Sequence, residues 1–94
     1  MNIELTLIGK PGCHLCEDAE LAVDRVLTSF LAANPSVAVS VNHKNILDDA
    51  ELAARYSDEI PVLLINGKVH NYWRIDEERF AGALNNLAAE AANE

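Results

Sequence analysis

Cys13 and Cys16 stand three apart in the stretch GKPGCHLCEDAE, residues 9 to 20. If that stretch opens a helix, positions i and i+3 share one turn, and the two sulfurs come close enough to bond or to share a ligand. The thiolate, not the thiol, attacks a disulfide or binds a soft metal. At the start of a helix, unpaired backbone N–H groups and the positive end of the dipole favour that anion at Cys13. Lys10 adds a cation in the preceding turn, and His14 adds another when it is protonated. Glu17 and Asp18 act the other way, because a neighbouring negative charge raises a thiol pKa. On residue types alone, three readings stay open: a redox pair, a structural pair of thiols, and half of a zinc site. A closed zinc site takes four ligands, usually from a second Cys/His pair at similar spacing. The remaining candidates, His14, His43 and His70, are isolated from one another, so no metal site is expected.

The flanking sequence supplies the elements that must hold this pair. Residues 3 to 8, IELTLI, alternate as a strand and end at the turn formers Gly9-Lys10-Pro11-Gly12. From Leu15 the apolar residues Ala19, Ala22, Val23, Val26, Leu27, Phe30 and Leu31 recur at helical spacing. That helix ends near Asn34-Pro35, because the residue before a proline is pushed out of helical geometry. SVAVSVN, residues 36 to 42, reads as a second strand, and strand-helix-strand makes a parallel βαβ unit.

A short helix is expected next, capped by Asp48 with Glu51 at its third position, stapled by Leu47 and Leu52 and running to about Tyr56. PVLLINGKVHNYW reads as an antiparallel hairpin closed by Asn66-Gly67, the dipeptide that accepts positive φ at both turn positions. The last helix starts at Asp76 as its cap, with Ile75 and Phe80 as a staple, passes Leu84 and Leu87, and frays into AEAANE. The expected architecture is β-α-β-α-β-β-α, a four-stranded mixed sheet with helices on both faces.

Whole-chain properties narrow the setting. The 94 residues suffice for one domain, residues 1–94, and not for two. Half the residues are apolar and 23% are charged, a globular composition. Seven scattered basic residues against fifteen acidic ones provide no positive face for nucleic acid. Without a basic leader or an apolar run near 20 residues, a cytoplasmic protein off the membrane is expected, with a monomer as the default.

Gly9-Lys10-Pro11-Gly12-Cys13-His14-Leu15-Cys16 after the first strand, with Glu59-Ile60-Pro61-Val62 ahead of the hairpin, resembles the glutaredoxin-like branch of the thioredoxin superfamily over almost the whole chain. The resemblance implies a thioredoxin-like fold and a thiol–disulfide oxidoreductase in which Cys13 is the exposed nucleophile and Cys16 resolves the mixed disulfide. It implies a cis bond before Pro61, with Ile60 and Pro61 shaping the groove where substrate backbone docks. Lys10 would hold a glutathione carboxylate or assist the thiolate, and Asp76 would meet the glutathione amino group; His14, by its own chemistry and not by the resemblance, would support the Cys13 thiolate when protonated. No tightly bound cofactor is implied; glutathione or another low-molecular-weight thiol would be a co-substrate. Its partners would be disulfide-containing or thiol-capped proteins and a recycling reductase or small thiol.

The chain also departs from the pattern. His14-Leu15 replaces the Pro-Tyr of ordinary glutaredoxins, Gly12 stands where thioredoxins place a tryptophan, and HNYWRID replaces the double glycine after the hairpin. Tyr72, Trp73 and Arg74 therefore occupy the region that receives the glutathione backbone in ordinary members. A second functional class is a non-enzymatic binder of an iron–sulfur cluster or soft metal through Cys13, from two chains or with an external thiol. A third is a scaffold used for interaction alone.

Overall fold

The computed structural model describes residues 1–92. Its elements are β1 (Asn2–Gly9), α1 (His14–Ala33), β2 (Ala38–Asn45), α2 (Ala50–Tyr56), β3 (Val62–Ile65), β4 (Lys68–Tyr72) and α3 (Glu77–Ala92), with a 3-10 turn at Ile46–Asp48 before α2. The sheet order is β2-β1-β3-β4, with β1 and β2 parallel and the other neighbours antiparallel. This is the thioredoxin-like arrangement.

Each side of the sheet buries its own cluster. Ile3, Leu5 and Leu7, alternate residues of β1, pack with Val23, Val26, Leu27 and Phe30 of α1 and with Phe80 and Leu84 of α3. Ile8 and Val62 face the other way, into a smaller cluster with Ile46, Ile60 and Tyr56 of α2. Period-two alternation in β1 thus separates the two layers. A bidentate pair from Arg25 of α1 to Glu77 of α3, both contacts 3.1 Å, ties the two helices at the surface.

Local signals place most boundaries. Asn66 (φ 50) and Gly67 (φ 83) form the hairpin turn, and Asn66 Oδ1 accepts Glu4 N–H at 2.9 Å to extend the contact with β1. Asp76 Oδ1 accepts Arg79 N–H at 3.1 Å and caps α3, while Ile75 packs against the cluster that holds Phe80. α3 stays helical to Ala92, so the expected fraying of AEAANE is not seen there; positions 93 and 94 lie outside the described residues.

Two expectations are corrected. β2 runs over Ala38–Asn45 rather than 36–42, because its parallel register with β1 continues from Asn2↔Ala38 to Gly9↔Asn45. The cap of α2 is Asp49, whose Oδ1 accepts from Glu51 N at 2.9 Å and Leu52 N at 3.2 Å. Asp48 instead closes the 3-10 turn, and Leu47, 70% exposed, staples nothing.

The β3–β4 register shifts between Leu63↔Asn71 and Leu64↔Val69, which leaves His70 as the extra, bulged residue. Its Nε2 is buried with no hydrogen-bond partner among the described residues, and the ring centroid lies 6.1 Å from that of Phe80. Burial first, then the Arg79 cation, hold His70 below the ordinary histidine range, with Asp76 opposing. The fold therefore prefers the neutral ring, and the unfolded chain takes up the proton first as pH falls. This contribution is complete above the unfolded value near 6.5 and is lost as pH drops from there through the lower folded value. Urea midpoints of wild type and His70→Leu at pH 7.5 and 5.5 check this: the acid-side loss of stability is expected to be smaller in the variant.

Candidate active site

β1 ends at Gly9, the chain turns through Lys10, Pro11 and Gly12 (φ 73), and Cys13 becomes the N-cap of α1. Its backbone is extended (φ −103, ψ 112), and its sulfur accepts the Cys16 N–H at 3.2 Å. Serine, threonine, aspartate and asparagine are the residues that cap well. A thiol in that role places a sulfur at the positive end of the helix dipole, beside the unpaired backbone N–H groups of the first turn.

Cys16 lies one turn inside, its sulfur turned onto the end of β1. A Cβ built on Gly9 would lie 2.9 Å from Cys16 Sγ and 3.3 Å from its Cβ. Gly9 is therefore required here by the close approach of the second sulfur, a role that its reading as a turn former did not contain. Burial, then the hydrogen bond with Cys13, pushes the Cys16 thiol up to about 11, against a weaker lowering by the Lys10 backbone N–H and cation. Both cysteines are half-buried free thiols that pack on the cluster of Ile8, Ile46, Tyr56, Ile60 and Val62. Gly9→Ala is expected to lose about 1–3 kcal/mol through overpacking, whereas Gly82→Ala, with open space at its Cβ on α3, should gain about 0.5–1 kcal/mol. Urea unfolding of the reduced variants compares the two.

Of the other residues singled out in the sequence, Lys10 meets Cys16 through backbone and charge. Ile60 packs in the small cluster that the cysteines join, and the Ile60–Pro61 peptide bond is cis. Ile60 is 8% exposed and Pro61 under 2%, so both are buried. His14 points outward, 97% exposed, with Nδ1 3.6 Å from Glu17 Oε2. Asp76 is exposed and committed to its cap, and among the described residues no hydrogen bond or ion pair joins it to the cysteine turn.

Trp73 is the contact that sequence reasoning missed. It takes a left-handed backbone (φ 61) and donates its N–H to Pro61 O at 2.8 Å and its indole Nε1–H to Asp58 O at 3.2 Å. The end of the hairpin is thereby bonded to both sides of Glu59-Ile60, where the smaller core layer meets the cysteines. Left-handed geometry in a bulky residue persists where the surroundings over-determine it. No local pattern announces it. Beyond Trp73, Arg74 and Ile75 share a surface hollow of about 310 Å³ with Leu15, one of the two residues between the cysteines.

Residues 4–85 match the family described as Glutaredoxin-like domain (DUF836). The chain belongs to this glutaredoxin-like family. Among curated proteins it is similar to Uncharacterized protein Rv0508 of Mycobacterium tuberculosis, 28% identical over 81 residues that cover 81% of this chain and 76% of that one. Among solved structures, target protein XcR50 from X. campestris superposes with a TM-score of 0.67 at 28% identity, covering 86% of this chain and 95% of the other. Protein Ne2328 from Nitrosomonas europaea gives a TM-score of 0.65 at 26% identity, over 86% and 89% of the two chains. A mutant thioredoxin from Halobacterium salinarum gives 0.56 at 17% identity over 89% and 73%, a likeness of fold alone. The glutaredoxin-like fold with its close cysteine pair is compatible with redox chemistry. Among the described residues, no three His, Cys, Asp or Glu side chains are grouped to hold a metal ion, and no helix is long and apolar enough to cross a membrane.

Proposed function

We propose that this glutaredoxin-like protein is a thiol–disulfide oxidoreductase working through Cys13 and Cys16. The observation that carries the reading is the asymmetry of the pair: Cys13 caps the helix dipole while Cys16, one turn inside, is packed on Gly9 and held protonated. One thiol is thus placed to attack and the other to wait. The Cys13 thiolate attacks one sulfur of a substrate disulfide, the substrate S–S bond breaks, and the departing thiolate takes a proton. Cys16, once deprotonated, attacks Cys13 Sγ; the Cys13–Cys16 bond forms, the Cys13–substrate bond breaks, and the substrate leaves reduced by two electrons. A reductase, glutathione or another low-molecular-weight thiol then returns the disulfide to the dithiol. The substrates are disulfide-containing or thiol-capped proteins, and the hollow of Leu15, Arg74 and Ile75 supports docking of a chain beside Cys13.

Equilibration of the metal-free protein across a series of anaerobic thiol/disulfide buffers, with thiols counted by mass at each potential, tests the assignment. A reversible two-electron transition joining Cys13 to Cys16 is expected. Thiols that stay free throughout, or capped species at Cys13 alone, would overturn the dithiol mechanism.

A further inference from the structure

The mechanism leaves one proton without a destination. Cys16 must lose it before attacking Cys13, yet its thiol lies far above neutrality. At pH 7 the fraction ionised spontaneously is small, and an acceptor within reach of the sulfur changes the rate of the step.

A cavity of about 300 Å³ opens on the side of Cys16 that faces β2, and its walls include Gly9, Lys10, Cys16, Glu20, His43 and Lys44. The register explains why these residues meet. Glu20 follows Cys16 by four positions on α1, so it lies one turn along the same face. Gly9 pairs with Asn45, and Leu7 pairs with His43, two residues earlier on both strands and on the same face of the sheet. Cys16 therefore sits over the Gly9–Asn45 row and Glu20 over the Leu7–His43 row. Glu20 Oε1 lies 3.2 Å from His43 Nε2, each side chain about half exposed at 53% and 56%.

We propose that Glu20 and His43 act as a pair that accepts the Cys16 proton, by way of solvent in the cavity they share, when Cys16 resolves the mixed disulfide on Cys13. The proposal rests on the oxidoreductase reading above. With Nε2–H directed at Glu20, the neutral imidazole keeps Nδ1 as an acceptor, and the carboxylate fixes the tautomer and the ring orientation. The proton passes from Cys16 Sγ to the pair, the Cys13–Cys16 bond forms, the substrate thiolate departs, and the pair returns its proton to solvent.

Other charged and titratable groups around Cys16 do not fill this role. Lys10 and Lys44 are cations on the same cavity, suited to stabilise the thiolate once formed. Glu17 adjoins the cavity, but its carboxylate pairs with His14 in solvent. Tyr56 packs on the opposite side, in the smaller core cluster, and Cys13 is the sulfur to be attacked.

Mixing the reduced protein with one equivalent of a chromogenic aromatic disulfide separates the steps. The first coloured thiolate is released when Cys13 attacks, and the second when Cys16 displaces it. In Glu20→Gln and in His43→Gln, the first phase is expected to keep its wild-type rate. The second is expected to slow roughly 10- to 100-fold near pH 7, and to rise about tenfold per pH unit where the wild type is nearly flat, as unassisted ionisation of Cys16 requires. Glu20→Asp should recover part of the rate. A second phase with wild-type rate and pH profile in Glu20→Gln would overturn the proposal, as would slowing by one constant factor at every pH, the mark of a merely structural role. Failure of the wild type to release either thiolate would instead overturn the oxidoreductase reading itself.

Discussion

Cys13→Ser is expected to abolish turnover of a disulfide substrate, a fall of roughly a thousandfold or more, the scale on which loss of a covalent nucleophile acts. The variant should fold, because the position is a helix cap and serine caps well; its hydroxyl can accept the Cys16 N–H that the sulfur now accepts at 3.2 Å. Lost activity in a protein of unchanged stability separates chemistry from architecture. Cys16→Ser distinguishes the substrates. With a protein disulfide, Cys13 still attacks but nothing resolves the product, so a mixed disulfide at Cys13 accumulates and is read by mass. With a protein cysteine capped by a small thiol, Cys13 alone suffices and activity persists. Retained multi-turnover reduction of a protein disulfide by Cys13→Ser would end the assignment.

Phe80→Ala is expected to lower stability by about 3–5 kcal/mol, the cost of lost transfer energy plus a cavity that the surroundings fill incompletely. Phe80 is fully buried among Ile3, Leu5, Leu63 and Leu84, and only Phe80 and Leu84 of α3 are buried among the described residues. The ring therefore carries much of what holds α3 on the sheet. Domains of this size unfold with about 5–15 kcal/mol in total, so the variant loses a large share. Urea unfolding followed by far-ultraviolet circular dichroism reads it, with Leu21→Ala, 56% exposed, expected within about 0.5 kcal/mol of wild type. A loss under about 1 kcal/mol for Phe80→Ala would mean that α3 is not part of the cooperative core.

The parts legible in the sequence are those decided within a few residues. Asn66-Gly67 forces its turn because few other pairs accept positive φ twice. Asp76 caps α3 because its carboxylate reaches a backbone N–H three residues on, wherever the helix is later packed. The cysteine spacing at a strand-to-helix turn, with Pro61 before the hairpin, carried the family resemblance, and the cis bond before Pro61 followed from that resemblance rather than from local pattern.

Where two local answers were equally good, the tertiary structure chose. Asp48 and Asp49 are both adequate caps, and Asp49 serves because β2 stays paired with β1 to Asn45 and buried Ile46 anchors a 3-10 turn before α2 begins. The strand boundary itself came from pairing across the sheet, which adds ladder bonds beyond the apolar run.

By itself, then, the sequence determined the order of elements, the turn that closes the hairpin, the cap that starts α3, and the pair of thiols at the start of α1. The tertiary structure alone decided that Gly9 must lack a side chain under Cys16, that Trp73 ties the hairpin to Asp58 and Pro61, and that Glu20, one turn from the inner thiol, meets His43 of β2. The reason is separation along the chain. Caps and turns are settled by neighbours, whereas these contacts join residues brought together by strand register and helix packing, whose energies no local window contains.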